Sequence, residues 1–179
     1  MNGNPFKTNW YVITGGPSSG KTTTVNMLKA HGYKTTIEHA RHYIETQKIS
    51  GKTVEEIRKN QLVFQQGVLD MQIAEEQELL PDETVFLDRA IPDALAYYRF
   101  LGLLEDEKIR EAMSRATYKK VFILDPLPLV KDSVRTEDET AQKKIHQILL
   151  ETYKSLPSPI IQVPVLPPED RVDFILKNL

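Results

Sequence analysis

The chain of 179 residues contains no cysteine, so it has no disulfide framework, no thiolate nucleophile and no cysteine-based zinc site. It also lacks any stretch close to the roughly 20 consecutive apolar residues that a membrane-spanning helix needs. The first ten residues are polar and do not resemble a secretory signal. These absences predict a protein of the cytoplasm that does not act in a membrane.

An excess of positive charge is missing as well. Lysine and arginine number 23 against 25 aspartates and glutamates, which gives a net charge of −2 and no general attraction for nucleic acid. The composition, 40% hydrophobic and 27% charged, is ordinary for a globular protein. At about 150 residues per domain, the length predicts one domain over residues 1–179. Nothing in these patterns indicates an oligomeric state.

Short apolar runs bounded by turn or charge signals predict five buried strands. They are Trp10–Thr14, Lys34–Ile37, Thr84–Leu87, Val121–Leu124 and Ile160–Val163. The segments between them have helical periodicity. The predicted helices are Thr22–Ala30, Ala40–Gln47, Val54–Leu80, Asp93–Leu101, Asp106–Ala116, Ala141–Ser155 and Glu169–Lys177. Apolar strands that alternate with helices are typical of an α/β fold, a parallel sheet with helices on both faces.

The longest predicted helix has a clear start and a charged end. Thr53 is the expected N-cap, with Glu56 at the capping-box position. The acidic residues between Glu75 and Glu83 predict a solvated face, which also offers a surface to a protein partner.

The clearest motif is a phosphate-binding loop that follows the first strand and precedes the first helix. The pattern G-x-x-x-x-G-K-[ST], extended by one threonine, covers Gly15, Gly16, Pro17, Ser18, Ser19, Gly20, Lys21, Thr22 and Thr23. Such a loop points main-chain N–H groups at phosphates beside the positive end of a helix dipole. Lys21 is expected to reach the β- and γ-phosphates of ATP, and the Thr22 hydroxyl to bind Mg²⁺.

Two residues at the end of the third predicted strand form a second candidate group. Asp88 and Arg89 stand where α/β sheets form ligand sites. Asp88 could hold the Mg²⁺ shell or accept a hydroxyl proton, and Arg89 could hold the migrating phosphoryl group. The alternative is a helix cap at Asp88 with Arg89 as its partner. The guanine-specific motif Asn-Lys-x-Asp and the transporter motif Leu-Ser-Gly-Gly are absent, which disfavours a switch GTPase and a transporter ATPase.

The phosphate loop together with residues 88–98, 134–139 and 163–172 resembles a family of bacterial P-loop ATP-binding proteins. This AAA-type, kinase-like family is related to nucleoside and nucleotide kinases, including ribosylnicotinamide kinase domains. The resemblance covers nearly the whole chain, and it implies a five-stranded parallel sheet of order 2-3-1-4-5. It also implies that Arg135, in a lid at about residues 131–139, closes over the transferring phosphate, and that the turn 164–167 holds adenine.

The resemblance further implies an acceptor site after the second strand and on the helix that follows Arg89. Glu38 is a rival to Asp88 as the general base, and Arg41 is expected nearby; the alternatives are helix-terminal charge complementarity and a surface pair. Tyr98 is expected to contact the acceptor, although a helical tyrosine is more often part of the core. His39 and His42 are three residues apart, a spacing that alone is weak evidence for a metal site.

Taken together, these residues predict an ATP- and Mg²⁺-dependent phosphotransferase that acts on a small acceptor, such as a nucleoside or a nucleotide. The catalytic set is Lys21, Asp88, Arg89, Arg135 and Glu38. Two alternatives stay open. One is a regulatory ATPase that responds to a protein partner, and the other is a nucleic-acid end kinase, which the net charge of −2 disfavours.

Overall fold

A computed structural model of the protein describes residues 7–128 and 139–179. Its sheet has five parallel strands in the order β2-β3-β1-β4-β5. They are β1 (Trp10–Thr14), β2 (Lys34–Thr35), β3 (Val85–Asp88), β4 (Lys120–Leu124) and β5 (Ile160–Val163). The predicted α/β class and the strand order implied by the resemblance are both confirmed.

Eight helices are found in the described part of the chain, and they cover both faces of the sheet. They are α1 (Lys21–Ala30), α2 (His39–Ile49), α3 (Val54–Lys59), α4 (Gln61–Glu78), α5 (Ile91–Phe100), α6 (Glu107–Arg115), α7 (Glu139–Lys154) and α8 (Pro168–Lys177). None of the described helices is long and apolar enough to cross a membrane.

The strands explain why the helices pack on both sides. Side chains alternate along a strand, so Trp10 and Val12 enter one core layer while Tyr11 and Ile13 enter the other. The first layer also holds Tyr153 of α7 and the second holds Val25 of α1. Because each face carries its own apolar layer, the central strands are buried on both sides and read as continuous apolar runs.

The single helix predicted over residues 54–80 is wrong, because the segment forms two helices. Thr53 and Glu56 make the expected capping box at the start of α3. Asn60 then leaves helical geometry, with φ −101° and ψ 87°, and its Oδ1 accepts a hydrogen bond from Val63 N at 3.2 Å. An asparagine side chain that bonds the main chain in this way competes with a continuous helix. The break lets Ile57 of α3 pack in one cluster with Phe64 of α4.

The prediction of a solvated acidic face at the end of α4 holds for Glu78 but is wrong for Glu76. The Glu76 carboxyl oxygen Oε1 accepts a hydrogen bond from the Tyr118 hydroxyl at 3.1 Å. Burial raises the pKa of Glu76 from 4.5 to about 8, although the Tyr118 hydrogen bond opposes the shift. The neighbouring Glu75 contacts His39 of α2. Two acids of this run therefore contact neighbouring elements of the fold, whereas Glu78 and Asp82 are exposed.

Helices α2 and α4 run antiparallel beyond the carboxyl ends of β2 and β3. His39 at the start of α2 contacts Glu75 near the end of α4. One turn later, the ring of Tyr43 stands so close to Gly67 that a Cβ there would collide with it. This pairing brings Glu38, which directly precedes α2, level with the C-terminal half of α4.

Candidate active site

The predicted phosphate loop connects β1 to α1, which is the structural context that its sequence motif requires. Gly15 has a φ of 152°, and a Cβ there would lie 2.7 Å from the main-chain oxygen of Leu124. Gly20 has a φ of 83°, a conformation that side chains rarely adopt. Both glycines are therefore needed for the path of the loop.

Lys21 folds back over this loop. Its ammonium group donates to Gly16 O at 2.9 Å and to Ser19 Oγ at 3.2 Å, and the residue is only 1% exposed. Thr22 and Thr23, by contrast, are exposed in the first turn of α1. The loop thus holds a buried cation on its inner side and two hydroxyl-bearing residues at the start of the helix.

Two side chains from the C-terminal part of the chain support the loop, and the sequence analysis missed both. Gln142 of α7 donates to Pro17 O at 2.7 Å. Arg171 of α8 donates to Ser19 O, to Asp125 O at 2.9 Å and to Pro164 O at 3.0 Å. Arg171 thereby ties the loop to the ends of β4 and β5. Arg171 lies in the segment 163–172 that carries the family resemblance, but that segment does not reveal this role, because Arg171 acts on main-chain carbonyls far away in sequence.

Asp88 stands at the end of β3 and is almost fully buried. Its main-chain N–H donates to Thr36 Oγ1 at 2.9 Å, while its Oδ1 has no hydrogen-bond partner among residues 7–128 and 139–179. Burial and then the negative charge of Glu38 raise the pKa of Asp88 from 3.8 to about 6. The positive charges of Lys21 and Arg89 act in the opposite direction. A carboxylate in this setting is suited to bind a cation or a proton.

The alternative role for Asp88, a cap of the following helix, belongs to another residue. Helix α5 begins after Ala90, and the carboxylate of Asp93 accepts a hydrogen bond from Ala90 N at 3.1 Å. The same buried carboxylate accepts hydrogen bonds from the hydroxyls of Thr14 and Tyr153. Because Asp93 caps α5, the Asp88 side chain is not needed for that task.

Arg89 adopts a left-handed conformation, with a φ of 64°, which is uncommon for a residue with a long side chain. Its guanidinium Nη2 lies 3.7 Å from Glu38 Oε1, and its Cζ lies 5.2 Å from the centre of the Tyr97 ring. Backbone strain of this kind persists where the surroundings demand it, and it is concentrated at functional sites.

Glu38 lies between two arginines. Besides Arg89, the Arg41 Nε stands 3.6 Å from Glu38 Oε2, one turn further along α2. The two histidines of this segment do not come together: His39 is buried against Glu75, whereas His42 is exposed. Within the described ranges no group of three or more histidine, aspartate or glutamate side chains could hold a metal ion.

A cavity of about 190 Å³ lies between the loop and helices α2, α4 and α5. Its polar lining consists of Glu38, Arg41, Arg58, Gln61, Gln65, Gln72, Arg89 and Asp93, with Tyr97 beside Arg89. Tyr98 does not line it; that side chain is fully buried and its hydroxyl lies 3.3 Å from Asp106 Oδ2. Arg135 and most of the expected lid lie outside the described residues.

Comparisons with known proteins agree with this arrangement. The profile of the AAA domain family matches residues 10–171, and no curated protein sequence matches. Among solved structures, NadR in complex with NR superposes with a TM-score of 0.63 and 17% identity over 96% of this chain and 51% of that chain. This chain thus spans about half the length of NadR.

Two further structures match over nearly their whole length. Deoxyadenosine kinase from M. mycoides, solved with dCMP and dCDP, has a TM-score of 0.64 and 15% identity over 94% of this chain and 97% of that one. Thymidylate kinase from Candida albicans has a TM-score of 0.62 and 17% identity over 96% of this chain and 91% of that one. The chain belongs to the AAA domain family and has the fold of the P-loop nucleoside and nucleotide kinases.

Proposed function

We propose that the protein is an ATP- and Mg²⁺-dependent phosphotransferase whose acceptor is a small molecule, such as a nucleoside or a nucleotide. One observation carries this proposal. Pro17 of the phosphate loop, Glu38 and Arg89 all line the same cavity, so a donor on the loop and an acceptor in the cavity would meet. Phosphoryl transfer depends mainly on such positioning and on neutralising charge.

On the donor side, the loop residues from Gly15 to Thr23 offer main-chain N–H groups to the phosphates of ATP. Lys21 now donates to Gly16 O and Ser19 Oγ. In the complex it would exchange these neutral acceptors for charged phosphate oxygens, which bind an ammonium group more strongly.

The residues present also fit a magnesium ion. The exposed Thr22 hydroxyl and the Asp88 carboxylate, whose Oδ1 has no partner in the described ranges, are oxygen donors of the kind that Mg²⁺ prefers. Its other ligands would come from phosphates and water, as is usual for this ion. When bound, Mg²⁺ neutralises charge on the β- and γ-phosphates.

On the acceptor side, Glu38 or Asp88 takes the proton of the acceptor hydroxyl. The hydroxyl oxygen then bonds to the γ-phosphorus while the bond from that phosphorus to the β–γ bridging oxygen breaks, and ADP leaves. Arg89 faces the charge on the transferring group, with Arg135 assigned the same task by the family resemblance. Arg41 and Tyr97 contact the acceptor in the cavity; Tyr98, which packs in the core, does not.

A small acceptor is favoured over a nucleic acid because the candidate site is a cavity between three helices and the net charge of the chain is −2. A reaction that consumes ATP and small metabolites suits the cytoplasm. The regulatory alternative stays open: Glu75 and Glu76 contact His39 and Tyr118, whereas Glu78 and Asp82 of the same acidic run are exposed.

The test is ADP release from MgATP by the purified protein, with and without a panel of nucleosides, nucleotides and vitamin precursors. We expect one class of compound to accelerate release and to appear with one added phosphate in mass spectrometry. A uniformly low rate across the panel, in a protein that still binds MgATP, contradicts a small-molecule phosphotransferase.

A further inference from the structure

Gln72 of α4 carries a buried polar atom that the fold does not satisfy. The residue is 3% exposed and lines the cavity. Its Oε1 has no hydrogen-bond partner among residues 7–128 and 139–179. Buried polar side-chain atoms nearly always have a partner in folded proteins, so an atom without one indicates that something else supplies it.

The position of Gln72 places it at the inner end of the cavity. Helices α2 and α4 are antiparallel, with His39 against Glu75 and Tyr43 against Gly67. Gln72 lies between the levels of these two contacts, beside the start of α2, where Glu38 stands. Arg58 and Gln61 lie at the opposite end, since Gln61 is 11 residues away, or about 16 Å along a helix.

The groups around Gln72 limit what it can bind. The Asp93 carboxylate, which lines the same cavity, already accepts hydrogen bonds from Ala90, Thr14 and Tyr153. Arg89 Nε, by contrast, is a buried donor without a partner in the described part of the chain. The Gln72 amide is neutral, so it cannot neutralise the charge of a charged ligand group. Both residues line the cavity, and a hydroxyl is a group that can donate to the Gln72 acceptor and also accept from a donor such as Arg89 Nε.

We propose that Gln72 is a specificity-determining residue that accepts a hydrogen bond from a hydroxyl of the acceptor other than the one that receives the phosphoryl group. The acceptor class is then a compound with neighbouring sugar hydroxyls, a ribonucleoside or ribonucleotide, and not its deoxy counterpart. This inference rests on the proposed function, since it concerns the same cavity.

The experiment compares matched ribose and deoxyribose compounds. The probes are the ribonucleosides and 5′-monophosphates of the common bases and nicotinamide ribonucleoside, each beside its 2′-deoxy and 3′-deoxy form. Binding is measured by calorimetry without ATP, and KM and kcat are measured by ADP release with MgATP. Four proteins are compared: the unmodified full chain, Gln72→Met, Gln72→Glu and Gln77→Met. Gln72→Met keeps the length of the side chain but removes the acceptor oxygen, whereas Gln72→Glu keeps an acceptor oxygen. Gln77→Met is the control at an exposed position.

We expect the unmodified protein to bind at least one ribose compound about tenfold more tightly than a deoxy form, the effect of one buried hydrogen bond. Gln72→Met should erase this preference by weakening only the ribose compound, through KM more than kcat. Gln72→Glu should retain the preference for the hydroxyl, and Gln77→Met should match the unmodified protein. Melting temperatures show that each variant is folded.

The proposal is overturned if the unmodified protein binds ribose and deoxyribose forms equally, if it binds none of the probes, or if Gln72→Met weakens both forms alike. One further result distinguishes a failure of the proposed function from a failure of the proposal for Gln72. Preferential ribose binding that Gln72→Met abolishes, without acceleration of ADP release by any probe, supports the role of Gln72 and rejects phosphoryl transfer.

Discussion

Glu38 and Arg89 face each other across the inner end of the cavity, with Arg89 Nη2 3.7 Å from Glu38 Oε1. The separation is long for a charge-assisted hydrogen bond, which is usually 2.7–2.9 Å. The pair therefore balances charge without closing the site. An acceptor hydroxyl that approaches Glu38 therefore meets a carboxylate that stands beside Arg89 Nη2 at 3.7 Å and Arg41 Nε at 3.6 Å.

This arrangement allows the two candidate bases to be distinguished. If Glu38 takes the proton, Glu38→Gln should lower kcat by about 10² or more and flatten the acidic limb of the pH profile. If Asp88 serves the metal, Asp88→Asn should instead raise the Mg²⁺ concentration needed for half-maximal activity. Steady-state kinetics against pH and Mg²⁺ decide the matter, with Asp173→Asn, at an exposed position of α8, as the control. The reverse pattern would exchange the two roles.

Lys21 gives a second prediction, since its ammonium group is the buried cation of the loop. Lys21→Ala should reduce turnover by at least about 10² and weaken MgATP binding, while circular dichroism stays unchanged. Lys29→Ala, at an exposed position of the same helix, is the control and should retain full activity. Equal turnover in both variants would show that the loop does not serve catalysis.

Glu76 predicts how stability depends on pH. Its pKa of about 8 in the folded protein lies above the 4.5 of an unperturbed glutamate, so between these values the folded protein holds a proton that the unfolded chain releases. The free energy of unfolding should therefore fall as pH rises from about 4.5 to 8. Above pH 8, the titration of Glu76 should change it little further.

The matching variant is Glu76→Gln, which carries no titratable group. At pH 9 it should exceed the unmodified protein in stability by about 2 kcal/mol, a value reduced for partial solvent access from the roughly 1.4 kcal/mol per pKa unit. Urea denaturation at pH 5 and pH 9 measures it, with the exposed Glu78→Gln as control. A stability gain of the same size at both pH values would mean that Glu76 does not titrate in this range.

The close contact between Gly67 and the Tyr43 ring predicts that a larger residue at position 67 lowers stability. In most helix interiors glycine to alanine adds about 0.5–1 kcal/mol of stability, but here the new Cβ would collide with the Tyr43 ring. Gly67→Ala should therefore destabilise the protein by about 1–2 kcal/mol. In a Tyr43→Ala background the same change should become stabilising. Denaturation of the four proteins of this cycle measures the coupling, and additive effects would contradict the contact.

Much of the fold could be predicted because the signals were local. The ranges Trp10–Thr14 and Ile160–Val163 match the observed β1 and β5, since each run is bounded by residues that do not continue a strand. The second strand was predicted over Lys34–Ile37 but pairs only at Lys34 and Thr35. It lies at the edge of the sheet with one neighbour, and beyond the paired residues Thr36 N still donates to Phe86 O of β3 at 3.0 Å.

The misses involve residues whose role depends on distant partners. The apolar spacing continues through Asn60, so periodicity alone cannot reveal a break that comes from a side-chain hydrogen bond. Glu76 looks solvated in an acidic run because its partner, Tyr118, follows 42 residues later. Gln72 carries no charge and belongs to no motif. Only the structure shows that Gln72 lines a cavity between α2, α4 and α5.

The hydrogen bond from Arg171 to Ser19 O joins residues 152 positions apart. The ribosome makes the phosphate loop early and Arg171 much later, so the loop emerges long before the side chain that braces it. During synthesis the loop lacks this support until the chain between Ser19 and Arg171 has been made. The capacity to grip a nucleotide should consequently arise late, after α8 has docked, and a nascent chain stalled before residue 171 should not retain ATP.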